Sequence, residues 1–211
     1  MKVAVLCEFS GIVRDAFIAR GHDAISCDLE PSEKPGPHIQ GDCRNYDWSD
    51  YDMAICFPPC TYLSSVGNGW MKIKPKRKEK RYLAFDFFMW CYYLENKNSN
   101  MKVCVENPKG YINSHFRKPD QIIQPFYWGD PEMKTTCLWL KRLPPLIHAE
   151  QDTLFMKKTS CGKPKPLGYY KKGPKKGKAI YFSDYQTGKD KSKKRSKTFP
   201  GIAAAMAEQW G

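Results

Sequence analysis

The stretch DYDMAICFPPCTYLSS (Asp50–Ser65) contains a short apolar run, two prolines, a cysteine and then a polar segment. A short apolar run bounded by proline predicts a buried strand that ends abruptly. Pro58 and Pro59 have fixed φ angles and cannot continue a hydrogen-bonded ladder. Cys60 is therefore expected just past the carboxyl end of that strand, where open α/β sheets bind ligands. A thiol there is a candidate nucleophile, although free cysteines are also often small core residues.

Polar residues stand at the ends of the other predicted strands as well. The segment KVAVLCEF predicts a first strand, followed by Gly11 and by a helix that ends at Gly21. DAISCDLEP predicts a second strand, and a proline-rich loop leads from it to a short third strand near residues 38–41. MKVCVE (101–106) predicts a fifth strand. In chain order, these strand ends carry Gly11, Asp28, Asp42, Cys60 and Glu106.

The remaining patterns predict a helix, a strand pair and a closing helix. The aromatic segment RYLAFDFFMWCYYLENK predicts a helix whose rings pack on the sheet. IIQPFYWG and KTTCLWLK predict two antiparallel strands within about 121–140. The last segment, KTFPGIAAAMAEQWG, has apolar residues at helical spacing and predicts a helix that packs back beside the first strand.

Length and cysteine usage limit the class of protein. A chain of 211 residues with 41% hydrophobic residues is expected to form one α/β domain with a small addition. No apolar segment reaches the roughly 18 residues that a membrane span needs. Nine cysteines, several of them within predicted strands, favour a reducing compartment, and we expect a cytoplasmic protein. The chain has no C-x-x-C pair, so no metal site is expected.

The charge favours a polyanionic partner. The formal net charge is +13, and the excess lies in the run KIKPKRKEKR (72–81) and in a lysine-rich region at about 157–197. Such blocks favour binding to the phosphates of a nucleic acid, the alternative being a solvated surface. Aromatic residues within the second block favour nucleic acid; they are Tyr169, Tyr170, Tyr181, Phe182 and Tyr185.

The strand-end residues suit two adjoining functions. Free amides after Gly11 and an acid such as Asp28 could hold a nucleotide-like ligand through its ribose hydroxyls, although each acid could simply cap a helix. Cys60 and Glu106 suit the addition of a thiolate to an electron-poor heterocycle while a carboxylic acid stabilises charge on a ring nitrogen. The four histidines argue against a cysteine hydrolase, because they are scattered and are expected on the surface or in loops; they are His22, His38, His115 and His148.

These motifs, in this order, resemble those of cytosine-C5 DNA methyltransferases of the short kind found in phages. Pro58-Pro59-Cys60, with Ser64 or Ser65 after it, resembles the catalytic loop, and Glu106-Asn107-Pro108 resembles the motif that binds the flipped base. The resemblance implies these cofactor-binding residues: Phe9, Ser10, Gly11, Asp28, Asp42 in Gly41-Asp42, Pro58 and Gly201. It also implies these nucleic-acid contacts: Ser64, Ser65, Lys134, Tyr169, Tyr170, Lys171 and Lys172.

The resemblance implies a Rossmann-like, S-adenosylmethionine-dependent methyltransferase fold. Its mostly parallel sheet would include an antiparallel strand pair. A catalytic core at 1–149, a small basic insert at 150–197 and a C-terminal helix at 198–211 would form a monomer. Its partner would be duplex DNA with one flipped base, without a membrane or a metal.

The resemblance also implies the chemical roles. Cys60 attacks C6 of cytosine while Glu106 protonates or hydrogen-bonds N3, Asn107 orients the catalytic loop, and the adjacent Pro108 stiffens it. Pro59 belongs to the catalytic Pro-Cys loop. An electropositive neighbourhood is expected to lower the pKa of Cys60 below its usual value near ~8.5.

Three departures keep other functions open. Val13 stands where the family has a second glycine, Thr61 follows the cysteine where glutamine is common, and no Gln-x-Arg-x-Arg motif is present, so that Lys134 is the candidate contact to the base O2. The small insert predicts a short recognition sequence or a partner that supplies specificity. The substrate could instead be RNA, single-stranded DNA or a modified pyrimidine. A degenerate protein that binds nucleic acid or blocks a host factor is the non-enzymatic alternative.

Overall fold

A computed structural model describes residues 1–65, 76–148, 162–174, 176–181 and 191–211, without the side chains of 191, 192 and 194. The main strands are β1 Lys2–Leu6, β2 Asp23–Asp28, β3 His38–Gln40, β4 Met53–Cys56, β5 Lys102–Pro108, β6 Gln121–Ile123 and β7 Thr136–Lys141. They form one seven-stranded sheet in the order β3-β2-β1-β4-β5-β7-β6. β1 to β5 pair in parallel, and β7 is antiparallel to both of its neighbours.

Helices cover both faces of the sheet. The described α-helices are α1 Ile12–Ile18, α2 Lys76–Tyr92, α3 Tyr111–His115, α4 Lys191–Ser196 and α5 Pro200–Trp210. The described 3₁₀ helices are Cys43–Asn45, Leu94–Asn96 and Pro125–Trp128. None of the described helices is both long and apolar enough to cross a membrane.

The alternation of side chains along β1 builds two cores. Val3 and Val5 belong to the cluster that packs with α1 and α5, where Trp210 is 2% exposed. Ala4 and Leu6 belong to the cluster on the other face, which includes Phe88 of α2. Both faces of β1 are therefore covered, which fits its uninterrupted apolar run from Val3 to Leu6. Each large buried side chain contributes about 1.5–3 kcal/mol of transfer free energy.

The expected α/β class, the parallel sheet and the antiparallel pair are confirmed. The third strand lies at His38–Gln40, and β6 pairs antiparallel with β7 as predicted. The strand expected across IIQPFYWG is shorter than predicted, because Pro125 opens a 3₁₀ helix after Ile123. The last helix, α5, packs against α1 and joins the core that contains Val3.

The strand order places a crevice at the middle of the sheet. The order β3-β2-β1-β4-β5 matches the first five strands of doubly wound nucleotide-binding sheets. β1 lies between β2 and β4 in the sheet. The chain therefore leaves β1 in one direction and β4 in the other, which makes the gap between their following loops a topological switch point. Ligands bind at such points, outside the carboxyl ends of the strands. Phe9-Ser10-Gly11 and Pro58-Pro59-Cys60 follow these two strands.

The structure describes the predicted insert at 150–197 in part, over residues 162–174, 176–181 and 191–197. Its described part contains a small two-stranded sheet formed by β8 Gly168–Tyr169 and β9 Ala179–Ile180. Tyr169 is 60% exposed, and Lys171 and Lys172 are exposed between the two strands. Residues 72–75 of the first basic run, with Phe182 and Tyr185 of the second, also lie outside the described residues.

Candidate active site

The loop that carries Cys60 folds back on itself directly after β4. Leu63 N and Ser64 N both donate to Cys60 O, at 3.0 and 2.9 Å. Leu63 is fully buried and anchors the loop, whereas Cys60 is exposed. The prolines before the cysteine end the ladder, so the thiol belongs to a rigid turn outside the sheet.

Asn107 ties this loop to the next strand. Its Nδ2 donates to Pro58 O at 2.9 Å, and the residue is fully buried. Because Asn107 directly follows Glu106 in β5, this bond joins the strand of the carboxylate to the loop of the thiol. The asparagine therefore holds the loop that it was predicted to orient.

A close backbone approach makes a second connection between the two loops. Tyr111 N donates to Leu63 O at 2.7 Å, and Ser64 and Gly110 form an antiparallel bridge. A Cβ on Gly110 would lie 2.9 Å from Ser64 Cα. Only glycine allows the loops after β4 and β5 to approach this closely.

Glu106 and Lys134 share a pocket at this edge of the sheet. The pocket encloses about 240 Å³ of empty space, including its mouth. It is lined by Phe57, Glu106, Lys134, Thr136, Thr198, Phe199, Ile202 and Met206. The Lys134 ammonium lies 5.7 Å from the centre of the Phe199 ring and donates to Lys197 O at 3.5 Å. The pocket therefore combines an acid, a cation and an aromatic wall, which suits a polar ring.

The electrostatics of this pocket favour a neutral carboxyl group. Burial raises the pKa of Glu106, while the Lys134 charge and a hydrogen bond from Thr136 lower it less. A protonated Glu106 can donate a hydrogen bond or a proton to a ring nitrogen.

The predicted lowering of the Cys60 pKa is wrong. Although the residue is exposed, protein atoms around its thiol raise the pKa, and the negative charge of Glu106 raises it further. Lys134 and Arg195 act in the opposite direction but do not outweigh these effects. Cys60 does not line either pocket described here, so Glu106 influences it through charge rather than through a shared wall.

A second pocket lies at the end of β1. It encloses about 190 Å³ and is lined by Cys7, Glu8, Phe9, Ser10, Phe57, Ser196, Lys197 and Thr198. Phe57 and Thr198 belong to both pockets, so the two adjoin. Of the predicted cofactor residues, Phe9 and Ser10 line this second pocket.

Glu8 is a site residue that the sequence motifs did not reveal. It is 4% exposed, and one carboxylate oxygen accepts from Ser10 Oγ at 2.5 Å and from Ile12 N at 2.8 Å. Its other oxygen, Oε2, is buried and has no hydrogen-bond partner among the described residues. Burial raises its pKa. A ligand with a cationic or hydroxyl donor would satisfy that oxygen.

A buried arginine organises the loop after β1. Gly11 has φ 71°, and its Cβ position would lie 2.6 Å from the Arg14 guanidinium, so a side chain there would collide. The fully buried guanidinium donates to Ser26, Ser32, Lys34 O, Pro35 O and Pro37 O. Arg14 therefore joins α1 to the loop that follows β2.

Asp28 and Asp42 lie at strand ends as predicted, but their surroundings differ. Asp28 accepts from Glu30 N at 3.0 Å, and burial raises its pKa. Asp42 caps a 3₁₀ helix and pairs with Arg44, which lowers its pKa. Asp28 therefore retains an available carboxylate edge, whereas Asp42 already serves the capping role that was the alternative.

The basic helix α4 borders the second pocket. Lys193 and Lys197 pair with Glu30 and Glu33 on the loop after β2, the first pair at 3.2 Å. Both ammonium groups lie over the Phe9 ring, at 4.8 and 6.0 Å from its centre. This arrangement brings the chain just before α5 to the end of β1.

Gly201 and the histidines lie outside the two pockets. Gly201 is in α5, where its amide donates to Asp130 Oδ2 at 2.8 Å, and it lines neither pocket. His148 lies in a loop, as expected, where it is buried and stacks on Tyr127 at 4.0 Å between ring centres. No histidine lines the two pockets, and the described part of the chain contains no cluster of metal-ligating residues.

Comparison with family models and with curated proteins found no match to this chain. The family resemblance therefore rests on the motifs and on the geometry of the residues that carry them.

Proposed function

We propose that this chain is a DNA (cytosine-5-)-methyltransferase that uses S-adenosylmethionine and a covalent adduct at Cys60. The observation that carries the proposal is the bond from Asn107 to Pro58 O. It holds the nucleophile loop to the strand of Glu106, beside a pocket that adjoins the one at the end of β1. A carboxyl group of raised pKa and a cation in one pocket, with a thiol on the loop tied to the same strand, suit addition to a pyrimidine better than hydrolysis.

Residues in and near the second pocket have the chemistry that the proposed cofactor needs. The unpartnered Oε2 of Glu8 suits the ammonium group of a methionine moiety, and Asp28 suits ribose hydroxyls. S-adenosylmethionine, when bound, supplies an electrophilic methyl group. Ser10 and Ile12 hold the Glu8 carboxylate in place, and Phe9 provides an apolar wall. The methyltransferase form of the Rossmann-like fold is part of the same proposal.

Cys60 and the residues of the first pocket act in sequence on a flipped cytosine. The Sγ of Cys60 forms a bond to C6, and the ring electrons move to N3, which takes the proton of Glu106. C5 would then take the methyl group as the bond between that methyl and the sulfonium sulfur of S-adenosylmethionine breaks, leaving S-adenosylhomocysteine. Loss of the C5 proton to solvent would expel the Cys60 thiolate, and N3 would return its proton to Glu106, which restores the aromatic ring. Lys134 lies where a cation can stabilise charge on the base O2.

The raised pKa of Cys60 is explained in part by its acid partner. Glu106 raises the thiol pKa through its negative charge. A protonated Glu106 carries no charge, so protonating the acid makes the thiol easier to ionise. A neutral Glu106 therefore favours the thiolate form of Cys60.

Transfer of labelled methyl groups from S-adenosylmethionine tests the proposal. Duplex DNA and RNA are offered in parallel, and the products are digested to nucleosides. Label in 5-methylcytosine of DNA is the expected result. Label in RNA alone would show that the substrate is RNA rather than DNA. Failure to bind S-adenosylmethionine would overturn the proposal in favour of the non-enzymatic alternative.

A further inference from the structure

The first turns of α2 carry a dense positive charge. Residues Lys76 to Arg81 read KRKEKR, with five cations and one acid. Lys76, Lys78 and Lys80 are exposed. None of these three lysines pairs with a carboxylate within the described ranges.

Helix stability does not account for this run of charge. Lys76 and Lys80 are four residues apart, as are Arg77 and Arg81, and like charges at that spacing destabilise a helix by about 0.2–0.5 kcal/mol per pair. Cations at the beginning of a helix also oppose its macrodipole. A bound polyanion would remove both costs.

The same helix contacts the Cys60 loop. The Arg77 guanidinium lies 4.9 Å and the Lys80 ammonium 5.9 Å from the centre of the Tyr62 ring. Arg81 Nε donates to Tyr62 O at 2.9 Å, and its guanidinium lies 4.9 Å from the centre of the Tyr111 ring. Tyr62 is two residues after Cys60. The charged surface is therefore continuous with the loop that carries the nucleophile.

We infer that the first turns of α2 bind the phosphate backbone of the DNA beside the target base. This inference rests on the proposed function and identifies a contact surface for its substrate. Lys76, Lys78 and Lys80 contact phosphates, while Arg77 and Arg81 hold the loop through Tyr62. Backbone binding is thereby connected to the position of the thiol.

The salt dependence of DNA binding tests this surface. The variant Lys76→Gln/Lys78→Gln/Lys80→Gln is compared with Lys2→Gln/Lys97→Gln/Lys102→Gln, which removes the same charge at the opposite edge of the sheet. Lys2 and Lys102 begin β1 and β5, and Lys97 precedes β5. Fluorescence anisotropy with a labelled duplex measures affinity at several salt concentrations, without any methyl transfer.

The α2 variant should lose about 0.9 from the logarithmic salt slope for each phosphate contact, so up to about 500-fold in affinity at 0.1 M salt for three contacts. The control should keep a steeper slope. The thermal stability of the α2 variant should not fall below that of the wild type, because the substitutions remove repulsion between like charges on the helix. Equal salt slopes for DNA binding in the two variants would overturn the inference. A loss of affinity seen only when a labelled RNA replaces the DNA duplex would overturn it as well. A slope lost only in the α2 variant supports the surface even if the protein transfers no methyl group, which separates this test from that of the proposed function.

Discussion

Replacing Gly110 by alanine should disable the proposed active site without touching any reacting group. Gly110 has φ 176°, an extended conformation that alanine adopts freely, so the effect is steric rather than backbone strain. Its Cβ would lie 2.9 Å from both Ser64 Cα and Ser65 N, and closer still to Leu63 O. Carbon atoms normally approach to about 3.5–4.0 Å, so the loop must retreat by roughly 0.6 Å or more.

The size of the effect follows from this displacement. Overpacking of this kind costs about 1–3 kcal/mol, and in a domain of this size each kcal/mol lowers Tm by about 2–4 °C. Displacement of a reacting group by about 1 Å can reduce the rate roughly 10²-fold. We expect Gly110→Ala to lower kcat for methyl transfer by about 10- to 100-fold, with cofactor affinity unchanged.

Gly168→Ala is the matched control. A Cβ at Gly168 would have no heavy atom of the described residues within 4 Å, so this variant should keep the wild-type kcat and Tm. Thermal unfolding and initial rates with saturating DNA are measured for both. Full activity of Gly110→Ala at an unchanged Tm would refute the argument that the loops after β4 and β5 position the thiol.

Three further outcomes are expected. Cys60→Ser should lose methyl transfer yet bind S-adenosylmethionine in calorimetry; retained turnover would exclude the covalent mechanism. Glu8→Gln should weaken binding of S-adenosylmethionine but spare 5′-methylthioadenosine, which lacks the amino-acid part, and equal weakening of both would count against an ammonium contact. Burial raises the pKa of Glu106, so the native state retains a proton that the unfolded state releases above about pH 4.3. The free energy of unfolding should therefore fall as pH rises from there through the raised native pKa, and Glu106→Gln should remove that fall; parallel pH profiles from denaturant unfolding would contradict it.

The sequence was sufficient to predict the sheet edge, because the end of each strand is predicted by the residues next to it in the chain. Apolar runs closed by Gly11, Pro58 and Pro108 require only neighbouring residues to be interpreted. Asn107 could likewise be assigned to orient the loop. The carboxyl ends of parallel strands meet, so residues far apart in the chain were expected at one edge.

The missed features depend on contacts between distant parts of the chain. Ser10 and Ile12 donate hydrogen bonds to Oε1 of Glu8 and leave Oε2 without a partner among the described residues. Only the folded structure shows this difference between the two oxygens. Phe199 reaches the pocket through the packing of α5, which no local pattern predicts. The Cys60 pKa was predicted in the wrong direction because the count of nearby cations ignores desolvation and the charge of Glu106.

The distribution of the cysteines makes selective chemical labelling of one thiol feasible. Eight described cysteines are free, and Cys60 alone among them is exposed. Among the eight described cysteines, a thiol-alkylating reagent applied to the folded protein should mark Cys60 first, and the raised thiol pKa means that labelling should accelerate at alkaline pH. Peptide mapping of the labelled protein would thus report occupancy of the site, since a bound DNA or substrate base protects the thiol. The candidate nucleophile can be followed in this way with any ligand, before a recognition sequence is known.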